Sequence, residues 1–286
     1  MIKVTTEKGE LVCVAELNGR LGVYLDNDSL IELATGAKSR RRRFLDALAI
    51  GGDLLFSFTN AVEIAGPQGK TATAIRSFLD DVKSYWTPLG MNPWEVARRE
   101  ANGFLGQAPV SESFMKAYCE ERTYGLRLEG HGEVLDLSAD SFFHLGSVLD
   151  WVQEHRDDIR RDAGEVDRMF CGHLKQLGDD YDKNPSALDR QAPSVPLDHQ
   201  RPATFVLNHL LRMLVLEAKA FHYKKNDGLD FCHAVLASAY GSMITLDKQW
   251  KRRVENLPSH NRLAKVYYRP QVDELVNLLE ELTSSR

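Results

Sequence analysis

Residues 226–253 read NDGLDFCHAVLASAYGSMITLDKQWKRR, and the fold is decided by how this stretch is punctuated. A short acidic turn leads into a small-residue helix over Phe231–Tyr240, and Gly241 is a natural helix stop. Met243, Ile244 and Thr245 then suit a central parallel strand over Ser242–Leu246, after which Asp247 opens another helix. Asp247 is thereby expected at the C-terminal end of a strand, where open α/β sheets place their ligands. Asp230 begins the helix that feeds the same strand. An acid at a helix start is ordinarily an N-cap, so a chemical role for it needs partners.

Partners stand far upstream. Val23–Leu25 reads as a short strand ending in Asp26, followed by a helix on Leu30, Ile31, Leu33 and Ala34 that Asp28 or Ser29 would cap. A second unit follows, with a strand over Leu54–Phe58 and a helix from Asn60 that carries Glu63. Near the end of the chain, Ala264–Tyr268 reads as a strand and Gln271–Leu282 as an amphipathic helix. Strands alternating with helices at both ends predict an α/β fold, a doubly wound parallel sheet with helices on its faces.

Three runs carry a resemblance to a known family. VYLDNDSLIELA at 23–34 resembles the first motif of PIN-domain ribonucleases, FSFTNAVEIAG at 56–66 their second, and NDGLDFCHAVLASAYGSMITLDKQW at 226–250 their third and fourth. The resemblance covers roughly residues 20–70 and 226–282. It implies a PIN-like core over 1–84 and 203–286, with an N-terminal hairpin at 2–22 and a mainly helical insertion or cap over 85–202. Carried over position by position, it implies four site acids, Asp26, Glu63, Asp230 and Asp247, supported by Asn27, Ser57 and Thr59. Asn27-Asp28 departs from the commoner Thr/Ser-Asn pair, so Asp28 could compete with Asp26 for the metal. RNA is the implied substrate. Homodimers are common in the family, and many toxin-type members have a cognate inhibitor protein.

The chemistry agrees with such a set. Carboxylates that converge repel one another, and their ionised forms are favourable together only with cations between them. Hard ions such as Mg²⁺ or Mn²⁺ prefer oxygen ligands and support phosphodiester hydrolysis. On this reading Asp26, Asp230 and Asp247 hold the metal, while Glu63 completes the site or orients the attacking water. His233 follows Asp230 by three positions and is expected to be bonded within the fold rather than to contact phosphate. Two other readings stay open. LDNDSL imitates the DxD loop of haloacid dehalogenase-type phosphatases, with Asp26 as nucleophile and Asp28 as acid/base. Alternatively, the acids cap helices in a non-catalytic scaffold that binds RNA or protein.

A length of 286 residues with 43% apolar content allows a sizeable core, and a net charge of −5 excludes a generally basic nucleic-acid coat. Local patches would have to serve. The candidates are Lys248, Lys251, Arg252 and Arg253 beyond Asp247, then Arg41 and Arg42 within the run Arg40–Arg43. Four cysteines without metal-type spacing, no signal-peptide pattern and no membrane-length apolar run make the cytoplasm the expected location. Gly69-Lys70-Thr71 looks like a P-loop end, but Ile64 stands where its first glycine belongs. In the middle segment, helices are expected at Pro93–Asn102, Ser111–Arg122, Ser141–Asp162 and Gly164–Leu177. Asp179–Asp182 is expected as a surface turn and 183–202 as an irregular connector. A helix from Ala203 to Lys224 then returns the chain to Asp230.

Overall fold

The computed structural model describes residues 2–7, 10–15, 19–57, 60, 63–64, 69–90, 92–103, 135–136, 144–217 and 227–285. In chain order the strands are β1 (Ile2–Glu7), β2 (Glu10–Ala15), β3 (Leu21–Tyr24), β4 (Gly52–Ser57), β5 (Trp86–Leu89), β6 (Leu135–Asp136), β7 (Met243–Thr245) and β8 (Lys265–Tyr267). The helices are α1 (Asn27–Thr35), α2 (Lys38–Gly51), α3 (Lys70–Val82), α4 (Pro93–Ala101), α5 (Leu145–Glu154), α6 (Arg156–Lys183), α7 (Ser186–Gln191), α8 (Pro202–Glu217), α9 (Asp227–Tyr240), α10 (Lys248–Glu255) and α11 (Val272–Ser284).

Five strands form one all-parallel sheet in the order β5-β4-β3-β7-β8. The chain first winds outward from β3 to β5 and later restarts beside β3 with β7. The direction of winding therefore reverses between β3 and β7, and such a switch point opens a crevice at the carboxyl ends of the strands. Residues of β4 and β7 are buried throughout, as a sheet covered on both faces requires. Alternation along each strand divides the core in two. Val23, Leu54, Phe56 and Met243 face a layer that includes Leu33, Phe44, Phe78 and Leu279 of α1, α2, α3 and α11. Tyr24, Leu55 and Ile244 face a layer with Phe170, Leu174, Leu210, Phe231 and Val235 of α6, α8 and α9.

The 85–202 segment thus contributes to the main body. Trp86–Leu89 pairs with β4 as an edge strand, a position that tolerates Pro88 because one edge needs no donor. Helix α6 covers one sheet face. The expected hairpin is present as antiparallel β1 and β2, and with β6 it makes a separate three-stranded sheet.

Several local expectations are corrected. The break within the middle helices falls at His155 rather than near Gly164, and α6 runs on through Gly164, Gly172 and Gly178. Its buried Ile159, Phe170, Leu174 and Leu177 anchor it to the core and outweigh the glycines' weak propensity. Asp179–Asp182 therefore lies in its last turns and is not a surface turn. The 183–202 connector contains α7, and the returning helix is described from Pro202 to Glu217. The helix expected at 111–122 lies outside the described residues. Among the described residues, no helix is long and apolar enough to cross a membrane.

Candidate functional site

The carboxyl ends of β3 and β7 flank the switch point, and each is followed closely by a capping aspartate. Asp26, in extended conformation, caps α1: its Oδ1 accepts from Ser29 N at 3.0 Å. This corrects the expected cap, Asp28 or Ser29, by moving it to the residue where the backbone leaves the strand. Thr245, buried at the end of β7, accepts from Asp26 N at 2.8 Å and donates to Asp26 Oδ1 at 2.9 Å. Asp247 caps α10 in the same way, with Oδ1 accepting from Trp250 N at 2.7 Å. In both aspartates one oxygen is thus fixed by the fold. Among the described residues, Oδ2 of neither has a hydrogen-bond partner.

Asp230 is not a cap. Helix α9 begins at Asp227, and Asp230 lies within its first turn. Glu63 lies in helical backbone beyond β4 and is exposed. These four acids come from parts of the chain more than 200 residues apart and line one cleft of about 190 Å³, together with Asn27, Asp28, Tyr24, His233, Leu246 and Trp250. They feel each other. Burial first, then the charges of Glu63, Asp247, Asp227 and Asp26, push the Asp230 carboxyl up to about 7. Burial raises Glu63, with Asp26 and Asp28 adding to it, and burial raises Asp26 against its cap hydrogen bonds.

Beneath the acids runs a hydrogen-bonded floor. Asn60 is buried; its Oδ1 accepts from Ser57 N at 3.0 Å and Ser57 Oγ at 2.8 Å, and its Nδ2 donates to Asn27 Oδ1 at 3.1 Å. Ser57 Oγ also meets His233 Nε2 at 2.8 Å. The single hydroxyl proton is given to Asn60, so Nε2 is the donating nitrogen of the imidazole. Burial lowers the His233 pKa to about 4, and the ring is neutral. His233 is thus bonded within the fold, as expected. Ser57 and Asn27 are in place, whereas Thr59 lies outside the described residues.

Asn60 and Thr245 are the supporting residues that sequence reasoning missed. Asn60 was read only as a helix start, although a polar residue three places after a buried strand serine is a turn signal. Thr245 was read only as β-prone. Its position two residues before Asp247, on the strand next to β3, was the available sign.

The basic candidates divide, and among the described residues none lines the cleft. Lys251 is bonded to Glu255 and to Val266 O, and it lines a different cavity beside β8. Arg253 is buried, 3.2 Å from Glu217 and with its guanidinium over the Trp250 ring. Arg41 pairs with Asp81. These three have partners within the fold: a cation inside an amphipathic helix is drawn to the acids its own fold supplies. The rest of the arginine run also braces α2, with Arg40 bridging Glu32 and Asp273 and Arg43 bound to Glu280. Arg42 is exposed, 3.7 Å from Asp46. Lys248 and Arg252 are exposed on α10, one turn apart and close in sequence to Asp247; among the described residues neither has an ion pair.

Could the set hold a metal ion? Among the described residues, no group of three or more His, Cys, Asp or Glu side chains is preassembled to do so. The donor chemistry nevertheless fits a hard divalent cation. Among the described residues, every titratable group facing the cleft is a carboxylate, apart from the phenol of Tyr24 and the His233 ring already bonded to Ser57. Carboxylates whose pKa values are raised by mutual repulsion gain most from a cation between them. The chain matches no protein-family model, no curated protein and no solved structure.

Proposed function

We propose that the protein is a metal-dependent endoribonuclease of PIN-like type, hydrolysing RNA phosphodiesters at the cleft lined by Asp26, Glu63, Asp230 and Asp247. One observation carries the reading: acids from four separate junctions meet at the switch point of the sheet, and Asp230 there is raised to about 7. Structural ion-pair networks also shift pKa values, but they do so with cations present, and among the described residues no Lys or Arg lines this cleft. Asp26, Asp230 and Asp247 would hold Mg²⁺ or Mn²⁺. Such an ion supplies charge neutralisation at the phosphate and acidifies a bound water.

The chain's own residues do the rest. The caps on α1 and α10 fix the two strand-end aspartates, leaving one oxygen of each for the ligand side. Thr245 ties Asp26 to β7, which joins the two sides of the crevice by hydrogen bonds. Glu63, exposed at the cleft, completes the oxygen set or orients the attacking water. Lys248 and Arg252 offer positive charge to flanking phosphates beside Asp247. The phosphatase alternative uses Asp28, which does line the cleft, but it leaves Asp230 and Glu63 without a task.

The test is cleavage of labelled RNAs and of a phosphate monoester, with Mn²⁺, with Mg²⁺ and with chelator, by wild type and Asp230→Asn. Metal-dependent RNA cutting that the substitution abolishes is the expected result. Hydrolysis of the monoester alone would replace the nuclease by the phosphatase.

A further inference from the structure

Helix α9, which carries Asp230, is gripped at both ends by residues from the 85–202 segment. At its start, Gly228 N donates to Asp167 Oδ1 of α6 at 2.8 Å. The two helices meet there backbone to backbone. A Cβ at Gly228 would lie 2.9 Å from Asp167 Cα and 3.0 Å from Phe170 Cβ, so only glycine permits the approach. At its other end, Tyr240 Oη donates to Glu100 of α4 at 2.5 Å. Glu100 is fully buried and also accepts from Ala203 N and Thr204 N at the start of α8.

Between these ends the residue after Asp230 is boxed by rings. Phe231 stacks on Phe170 with centroids 4.5 Å apart, and it meets Trp94 at 5.8 Å and Trp250 at 5.9 Å. Trp250 belongs to α10, the helix that Asp247 caps. A single aromatic cluster therefore joins α6 and α4 to the two helices that bear Asp230 and Asp247.

We infer that α6 positions Asp230, and that Asp167 is the positioning residue, capping the first turn of α9 from outside that helix. The inference rests on the proposed nuclease reading, because only there does the placement of Asp230 matter chemically. An N-terminal helix turn has donors without intrahelical partners. Here one of them is satisfied by a carboxylate from a different element, so the phase and height of α9 relative to the sheet are set by α6. A displaced α9 carries Asp230 away from the cleft that it shares with Asp26, Glu63 and Asp247.

The experiment uses full-length Asp167→Ala, with Asp167→Asn keeping the Oδ1 acceptor and Asp167→Glu displacing it by one methylene should the alanine variant fail to fold. Three readouts are taken: amide exchange across 227–231, Mn²⁺ affinity from the spin resonance of the free ion, and kcat and KM for RNA cleavage. Residues that orient the ligands of a metal typically govern affinity or activity by about 10–100-fold. The expected result is faster exchange confined to the start of α9, Mn²⁺ binding weakened about tenfold and kcat reduced with KM little changed. Asparagine should restore all three. Local exchange that rises while Mn²⁺ affinity and kcat stay at wild-type values would reduce Asp167 to a structural cap and overturn the inference; so would an asparagine variant as impaired as alanine. If wild type itself neither binds Mn²⁺ nor cuts RNA, the nuclease reading fails first and the positioning role falls with it, a result separate from any change in exchange.

Discussion

Replacing Asp230 by asparagine should make the metal-free protein more stable. The folded pKa of Asp230 is about 7 against the ordinary 3.8, so the folded chain holds a proton that the unfolded chain has already released. Stability from this group is fully present below the unfolded value and is lost as pH rises through the folded one, near 7. At 1.36 kcal/mol per tenfold change, the linkage bounds the loss in alkaline solution at about 4 kcal/mol. Partial solvation of the carboxylate reduces this to roughly 2–3 kcal/mol. The amide side chain keeps the shape without the charge, and it also removes a repelling neighbour from Glu63 and Asp26.

The assay is urea unfolding with chelator, wild type against Asp230→Asn, at about pH 5 and about pH 8. The stability gap in favour of the variant should widen by about 2 kcal/mol between them. Adding Mn²⁺ should stabilise the wild type by mass action and leave the variant unmoved. A variant less stable than wild type at the higher pH, or a gap equal at both, would refute the claim that Asp230 is held against its own charge.

Other outcomes follow from the same contacts. Glu100→Ala strands the amides of Ala203 and Thr204 and the hydroxyl of Tyr240; urea unfolding should show a loss of about 3 kcal/mol, and a loss under about 1 would contradict the bonding described. The Lys248→Ala, Arg252→Ala double variant should flatten the salt dependence of single-stranded RNA binding by about 1.4 in log–log slope, at about 0.7 per phosphate. Arg41→Ala should leave the slope unchanged, since Arg41 serves Asp81. The His233 ring should titrate near 4 by NMR. Its contribution to stability is complete above the ordinary value of 6.5 and is lost as pH falls towards 4; a midpoint above about 6 would show the ring is not the neutral partner of Ser57.

The acids were legible because strand ends leave a local mark. A short apolar run followed by Asp and then a helical pattern locates both Asp26 and Asp247 without long-range information. Their convergence depended on strand order, which the alternation of elements implied and the pairing of β3 with β7 supplies. What was hidden has physical reasons. Trp86-Thr-Pro-Leu89 is too short to show a period and carries a proline, so its place on the sheet edge was invisible. The expected helices Ser141–Asp162 and Gly164–Leu177 left a break just before Gly164, yet α6 is kept whole by contacts made with Phe231 and the sheet. The partners of Arg41, Lys251 and Arg253 are Asp81, Glu255 and Glu217. Of these only Glu255, one helical turn from Lys251, was visible from local sequence. Asn60 and Thr245 act through residues up to 219 positions away, so a turn signal after Ser57 and a place two residues before Asp247 mark where they stand without showing what they bind.

The most direct measurement is single-turnover cleavage of a labelled RNA with saturating Mn²⁺ by Asp26→Asn and Asp247→Asn, each shown by circular dichroism to be folded. These two aspartates come from opposite sides of the switch point and cap different helices, α1 and α10. Wild type should cut, chelator should stop it, and either substitution alone should remove cleavage. Cutting retained by both folded variants would contradict the proposed site, and the acids would then be helix caps and no more.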